Sequence, residues 1–335
     1  MRVLRLHNVS DLRLHDEPAP QPAEDHCLVK VRAVGLCGSD LHWFAEGGIG
    51  DASLERPLVP GHEFAGVALD GPYAARLVAV DPAMPCRACE LCSAGHPNLC
   101  PGIAFAGHST TDGGLQEIVS WPTHLLHPLP DSMTPADGAM LEPLGVALHA
   151  WDLASPHVGS TVAVVGAGPI GLLMIQLALA SGASRVIAVE PLEHRRAAAR
   201  RFGAEALTPE EAHDPETWRS LTGFGVDVAF EIAGSDDAVA VSALACRPGG
   251  RLVIVGIPSD DRYTLPAGTV RRKGLTILVV RRMKEMYPRT IALVENGKVD
   301  VSSIVSAVYG MDAATSAFTS ASRREGLKVV IDPNE

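Results

Sequence analysis

The segment from Thr161 to Glu190 constrains this chain more than any other: Thr161-Val-Ala-Val-Val165, then Gly166-Ala-Gly168-Pro169-Ile170-Gly171, an apolar run to Ala180, and Arg185-Val-Ile-Ala-Val-Glu190. A short apolar strand, a glycine turn, a helix-length run and a second apolar strand spell a parallel βαβ unit. The pattern predicts strands at 161–165 and 185–190 around a helix from about Pro169 to Ala180. It then repeats, with a helix over His194 to Phe202 and strands over Val226 to Glu231 and Arg251 to Gly256. Repetition of this unit builds a doubly wound α/β sheet.

The glycine turn carries backbone chemistry. Gly166 permits the tight turn, Gly168 lets a pyrophosphate approach the main chain, and Gly171 lets helix and strand pack closely. Pro169 and Ile170 complete the turn as cofactor-binding positions, where the helix N-terminus faces the phosphates. Glu190 ends the next strand, where an acidic side chain accepts both ribose hydroxyls and repels a 2'-phosphate, so NAD is expected over NADP. His194-Arg195-Arg196 follows directly. Arg195 is the candidate cofactor contact in that basic run, which can tolerate a phosphate or simply form a solvated helical turn.

At 335 residues the chain exceeds one ordinary core, and about 150 residues per domain predicts two. Residues 1 to about 130 hold short alternating runs such as Leu28-Val-Lys-Val-Arg-Ala-Val34, broken by Pro and Gly, which predict an irregular β-rich domain. After about residue 275 come a strand-like Leu275 to Val280, a helix near Tyr287 to Gly297 and a last strand from Leu327 to Ile331, expected to rejoin the first domain. The expected division is therefore 1–145 with 275–335, and 146–274. A hydrophobic content of 47% against 20% charged residues fits a packed globular enzyme. The formal net charge of −11 repels polyanions and argues against nucleic acid or an anionic membrane as partner. The N-terminus alternates like a strand and no apolar window is long enough to cross a bilayer, so a cytoplasmic location is expected.

Four cysteines fall within fifteen residues: Cys86, Cys89, Cys92 and Cys100. Two-residue spacers let successive thiolates turn toward one tetrahedral ion, and the longer return completes an all-sulfur shell. Such a zinc site is closed and structural. Disulfides are the competing reading, but Cys-x-x-Cys runs close strained loops and a chain this long does not need them. Cys27, Cys37 and Cys246 lie outside the cluster, scattered as in a reducing compartment.

Chemistry is sought in a second constellation. Cys37 lies in Gly35-Leu-Cys37-Gly-Ser39-Asp-Leu-His42, and His62-Glu63 in Pro60-Gly-His62-Glu63-Phe-Ala-Gly66. Together with a nucleotide turn they suggest a catalytic zinc with Cys, His and carboxylate donors and one open position. Glu142, in Leu141-Glu142-Pro-Leu-Gly145, adds a carboxylate that is either a further ligand or a base holding the zinc-bound water.

These motifs, in this order and ending in Gly326-Leu-Lys-Val329, resemble the zinc-dependent medium-chain dehydrogenase/reductase superfamily from end to end. The form Glu142-Pro-Leu-Gly-Val-Ala-Leu-His149 is similar to the sorbitol, or polyol, dehydrogenase branch. The resemblance implies a GroES-like catalytic domain beside a Rossmann-fold domain, NAD, and one catalytic and one structural zinc per chain. It also implies a proton relay in which Ser39 takes the hydroxyl proton and passes it through the nicotinamide ribose towards His42.

The implied reaction is reversible oxidation of a secondary alcohol of a polyol or cyclitol-like substrate to the ketone. A butanediol or threonine dehydrogenase is the alternative within the same chemistry, and a non-catalytic zinc scaffold the alternative outside it. A homodimer or homotetramer is expected from the same resemblance. Two departures stand out: the stretch from Gly66 to Val80 is trimmed, and Arg281-Arg282-Met283 lacks the aromatic residue usual after Arg in polyol dehydrogenases. Trp43, Phe44 and Ile49 are candidate pocket walls, with core packing as the other reading.

Overall fold

The computed structural model describes residues 1–50 and 52–335 and divides the chain into two units. The first holds Met1–Glu142, Tyr287–Asn296 and Val301–Glu335; the second holds Pro143–Met286 and Gly297–Asp300.

The first unit is organised by the strand His26–Gly35, in which Cys27, Val29, Val31 and Ala33 are buried while Lys30 and Arg32 are exposed. That period of two puts one face of the strand on the core. The sheet runs Leu126–Pro128, Leu77–Val80, Glu63–Ala68, His26–Gly35, Lys328–Asp332 and Val305–Gly310, and Ile118–Pro122 also pairs with His26–Gly35. All these pairs are antiparallel except the last along the path, where Val305–Gly310 runs parallel to Lys328–Asp332. The core gathers Val29, Val31, Phe64, Val78, Trp121 and Phe318, among others. Trp43 and Phe44, at 1% and 8% exposure, belong to this core, with Ile49 packed against it. Packing takes Trp43 and Phe44 because the short helix Gly38–Glu46 turns its apolar side inward, with Phe44 tilted against Phe318, and Ile49 follows in the two-residue strand Gly48–Ile49.

The second unit contains a parallel sheet in the order Glu205–Leu207, Arg185–Val189, Thr161–Val165, Val226–Glu231, Cys246–Ile254, Thr276–Val279. Val162 to Val165 are buried, as expected of a central strand covered on both faces. The helix Pro169–Ala180 is apolar nearly all round, and Gly171 to Ala178 are buried. The order reverses direction at the central strand Thr161–Val165, which is the switch point where doubly wound sheets bind ligands beyond their strand ends.

One boundary differs from the sequence reading. The strand Thr276–Val279 does not leave with the C-terminal tail; it pairs in parallel with Cys246–Ile254 as the sixth strand of the second sheet. The chain returns to the first unit at Tyr287 and visits the second again for Gly297–Asp300, where Gln176 exchanges two hydrogen bonds with the backbone of Asp300. Strand periodicity identifies a strand but not the sheet that takes it. The other boundary falls at Glu142, inside the helix Leu141–Ala154. Among the described residues, no helix is long and apolar enough to cross a membrane.

Candidate active site

Cys37, His62 and Glu63 meet in the first unit, with one donor atom from each lying within 4.8 Å of the others. The sequence explains the convergence locally. Cys37 is the N-cap of the helix Gly38–Glu46, and Glu63 opens the strand Glu63–Ala68, pairing with Gly35 at the end of His26–Gly35. A sulfur, an imidazole nitrogen and a carboxylate oxygen make a donor set suited to zinc with a position left open.

Two residues that the sequence reading quoted but left without roles complete the geometry. Asp40 is buried, and its Oδ2 accepts from the Cys37 N–H at 2.9 Å while Oδ1 accepts from the Gly61 N–H at 3.0 Å. The same Oδ1 lies 3.6 Å from His62 Nδ1. This ion-pair contact turns Nδ1 toward the carboxylate and leaves Nε2 for a metal. Burial disfavours the charge on His62, but Asp40 and the Cys37 sulfur more than offset it, and its pKa lies well above the ordinary histidine value. Burial likewise acts against the Asp40 carboxylate, yet His62 and the two backbone donors bring its pKa below the usual range.

Lys328, in the last strand, is 3% exposed and forms an ion pair with Glu63 Oε2. A buried carboxylate beside two further potential anions is costly without such a partner. Burial lowers the Lys328 pKa, and the Glu63 and Cys37 charges raise it by more, so the ammonium form is held. Gly35 closes over this pair, since a Cβ there would meet both the Glu63 carboxylate and Lys328 Cε.

Glu142 stands outside the cluster of three but close enough to feel it. Burial, joined by repulsion from Glu63, pushes its acid up to about 7 despite His62 and Lys328. Tyr287 is fully buried, donates to the Val80 carbonyl at 2.8 Å and stacks on His127 with ring centroids 4.5 Å apart. Ser39 sits half-buried in the first turn of the Gly38–Glu46 helix. His42, one turn on, contacts Glu46 Oε1 through Nδ1 at 3.0 Å.

The four sulfurs of Cys86, Cys89, Cys92 and Cys100 also lie within 4.8 Å of one another, and all seven cysteines are free of disulfides. Backbone N–H groups of Ala88 and Cys89 point at the Cys86 sulfur and lower its pKa to about 6, while burial pushes Cys92 up to about 12. Amide donors aimed at a thiolate are what a thiolate-bound cation requires of its surroundings. If this lobe is a metal-held structural element, Cys89→Ser lowers the thermal midpoint by several degrees and releases one zinc per chain. An unchanged midpoint and metal content in that variant would remove the structural assignment.

The nucleotide turn lies in the second unit. Gly166 adopts φ +101°, and a Cβ there would meet the Ala233 nitrogen at 2.9 Å; a Cβ on Gly171 would meet the Gly166 oxygen at 2.0 Å. Gly168 has open space except for Arg195 Nη1, 3.7 Å from where its Cβ would be. Gly168, Pro169 and Ile170 are the partly exposed tip of an otherwise buried turn. The backbone is thus cleared where a diphosphate would approach, with a guanidinium beside it. Glu190 is buried at the end of Arg185–Val189, accepting from the Ala167 N–H at 2.9 Å and the Leu192 N–H at 3.0 Å. Each carboxylate oxygen keeps a lone pair for a ribose hydroxyl.

Comparison with known proteins follows the same two units. Residues 23–131 match the family described as alcohol dehydrogenase GroES-like domain, and residues 169–296 match that described as zinc-binding dehydrogenase. A sorbitol dehydrogenase of Bacillus subtilis (strain 168) is 33% identical over 344 residues, covering 100% of this chain and 98% of the relative. Among solved structures, 2R,3R-butanediol dehydrogenase from Bacillus subtilis superposes with a TM-score of 0.89 at 28% identity, covering 99% of both chains. A zinc-binding dehydrogenase from Sinorhizobium meliloti 1021 bound to NADP gives a TM-score of 0.89 at 30% identity, again covering 99% of both.

Proposed function

Because the chain belongs to the zinc-dependent medium-chain dehydrogenase/reductase superfamily, on its sorbitol dehydrogenase-like branch, we propose that it oxidises a secondary alcohol of a polyol or cyclitol-like substrate to the ketone, with NAD as hydride acceptor. The observation that carries this reading is the donor set of half-buried Cys37 with buried His62 and Glu63, backed by Asp40 and Lys328. A zinc ion there would polarise the substrate hydroxyl, and NAD on the glycine turn would take the hydride.

The chain's own residues supply the rest. Asp40 holds the His62 ring so that one nitrogen faces the reaction, and Lys328 balances the Glu63 charge so that the pocket does not accumulate anions. Ser39 Oγ would take the substrate's hydroxyl proton, with His42, one turn on in the same helix, as the residue that passes it toward water. Glu46 fixes His42 by Nδ1, so Nε2 is the nitrogen that accepts the proton and hands it to water. Glu142, its acid pushed up to about 7, is shared between protonated and ionised forms near neutral pH and can donate or accept a hydrogen bond; we assign it a water-mediated rather than a direct role because it lies outside the three-donor cluster.

We assign a second, structural zinc to Cys86, Cys89, Cys92 and Cys100, and a dimer or tetramer as the working assembly. The edge strand Thr276–Val279, where Val279 is 61% exposed, supports association through that edge.

The test is the initial rate of NAD reduction across sugar alcohols, inositols and aminocyclitols, short vicinal diols and threonine, with zinc counted per chain. Turnover of one polyol or cyclitol with about two zinc ions per chain is the expected result. Activity confined to a diol or to threonine would keep the mechanism and replace the substrate class. No turnover with about one zinc per chain would favour a scaffold.

A further inference from the structure

The helix Glu193–Arg201, which follows the ribose-facing Glu190, carries Arg195, Arg196, Arg200 and Arg201 but only one acid, Glu193. Such a basic helix beside an adenosine ribose would ordinarily welcome a 2'-phosphate. The structure shows where that charge goes. Arg196 Nε lies 3.0 Å and Nη2 2.7 Å from Glu193 Oε2, and Arg200 Nη1 lies 2.9 Å from Glu193 Oε1. Arg196 Nη1 also donates to the carbonyls of Glu190 and Pro191, both at 2.6 Å. Two guanidiniums therefore converge on one carboxylate, and one of them is tethered to the backbone of the residue expected to read the ribose. Arg195 is turned elsewhere, to Gly168 in the glycine turn.

We propose that Arg196 and Arg200 form an anion seat at the ribose end of the nucleotide site and that Glu193 fills it, so that Glu193 sets the preference for NAD over NADP. This rests on the nucleotide reading above and adds to it a residue that the end-of-strand rule does not point to. A carboxylate bridging two guanidiniums occupies the donors a phosphate would need, and its charge repels the phosphate that would displace it. Glu190 offers the ribose only the lone pairs left after both of its oxygens accept backbone N–H groups, so a second acidic residue can add to its discrimination. Glu193 is exposed, with a side-chain exposure of 65%, so its replacement removes charge without opening a core.

The experiment is equilibrium titration of NADH and NADPH by nucleotide fluorescence, paired with kcat/KM for NAD and NADP, on the parent, Glu193→Gln and Glu193→Ala. NADPH is expected to bind about tenfold more tightly to Glu193→Ala than to the parent, with NADH affinity within about twofold. The gain should shrink at high salt and vanish when Arg196→Ala and Arg200→Ala are added. Unchanged NADPH affinity in both single variants, or a gain that survives loss of both arginines, overturns the proposal while NADH binding leaves the nucleotide reading standing. A parent protein that binds neither nucleotide overturns both.

Discussion

Cys37→Ser is expected to lose turnover by on the order of a thousandfold or more and to hold one zinc fewer per chain, while its circular dichroism and thermal midpoint stay near the parent's. The separation of the two effects follows from position. Cys37 caps the helix Gly38–Glu46, and serine is among the better residues at an N-cap, so the local fold has no reason to fail. A serine hydroxyl, unlike a thiolate, is protonated near neutral pH and binds zinc poorly, leaving His62 and Glu63 as an incomplete donor pair. The assay is steady-state NAD reduction with the best alcohol of the panel, alongside metal analysis of the same sample. Retained turnover in a zinc-free Cys37→Ser protein would end the catalytic assignment of this cluster.

Lys328→Met should be strongly destabilising while leaving every proposed metal donor in place. It removes the cation facing Glu63 and strands a carboxylate that is 1% exposed, a kind of loss that typically costs about 3–5 kcal/mol. Methionine matches the aliphatic stem, so packing is largely kept. A zinc ion on Glu63 would supply a replacement cation, so the loss seen by urea unfolding should be larger in chelator-treated protein than in protein loaded with zinc. Adding Glu63→Gln should recover much of the stability of the metal-free form, because the stranded charge is then gone. A metal-free Lys328→Met protein within about 1 kcal/mol of the parent would show that the pair is not what holds this corner together.

The sequence was most readable where forces are local. The strand Thr161–Val165 and helix Pro169–Ala180 lie where their apolar runs and glycine turn predict, because a strand buried on both faces and a helix buried nearly all round leave continuous signals. Cys37 and the His62-Glu63 pair were legible as unusual residue types in short motifs, and the four cysteines by their spacing. Asp40 and Lys328 were not, although both lay inside quoted motifs. Their roles depend on partners brought close by the sheet, His62 for one and Glu63 for the other, and no local spacing encodes such a pairing. The same limit explains Glu193. A surface glutamate in a first helical turn reads as ordinary dipole chemistry until the two arginines that face it are placed.

The strand Lys328–Asp332 sits between His26–Gly35 and Val305–Gly310, and it carries the only lysine paired with Glu63 among the described contacts. During synthesis, His26–Gly35 and Glu63–Ala68 leave the ribosome before the whole second unit, and only afterwards comes the strand Lys328–Asp332 that pairs with His26–Gly35 on its other side. Domains generally fold as units as they emerge, so the dinucleotide-binding unit can be finished while its neighbour still lacks a central strand and a counter-charge. A nascent chain thus acquires its cofactor platform before its reaction pocket. Glu63 meets its buried counter-charge only after the second unit has been translated.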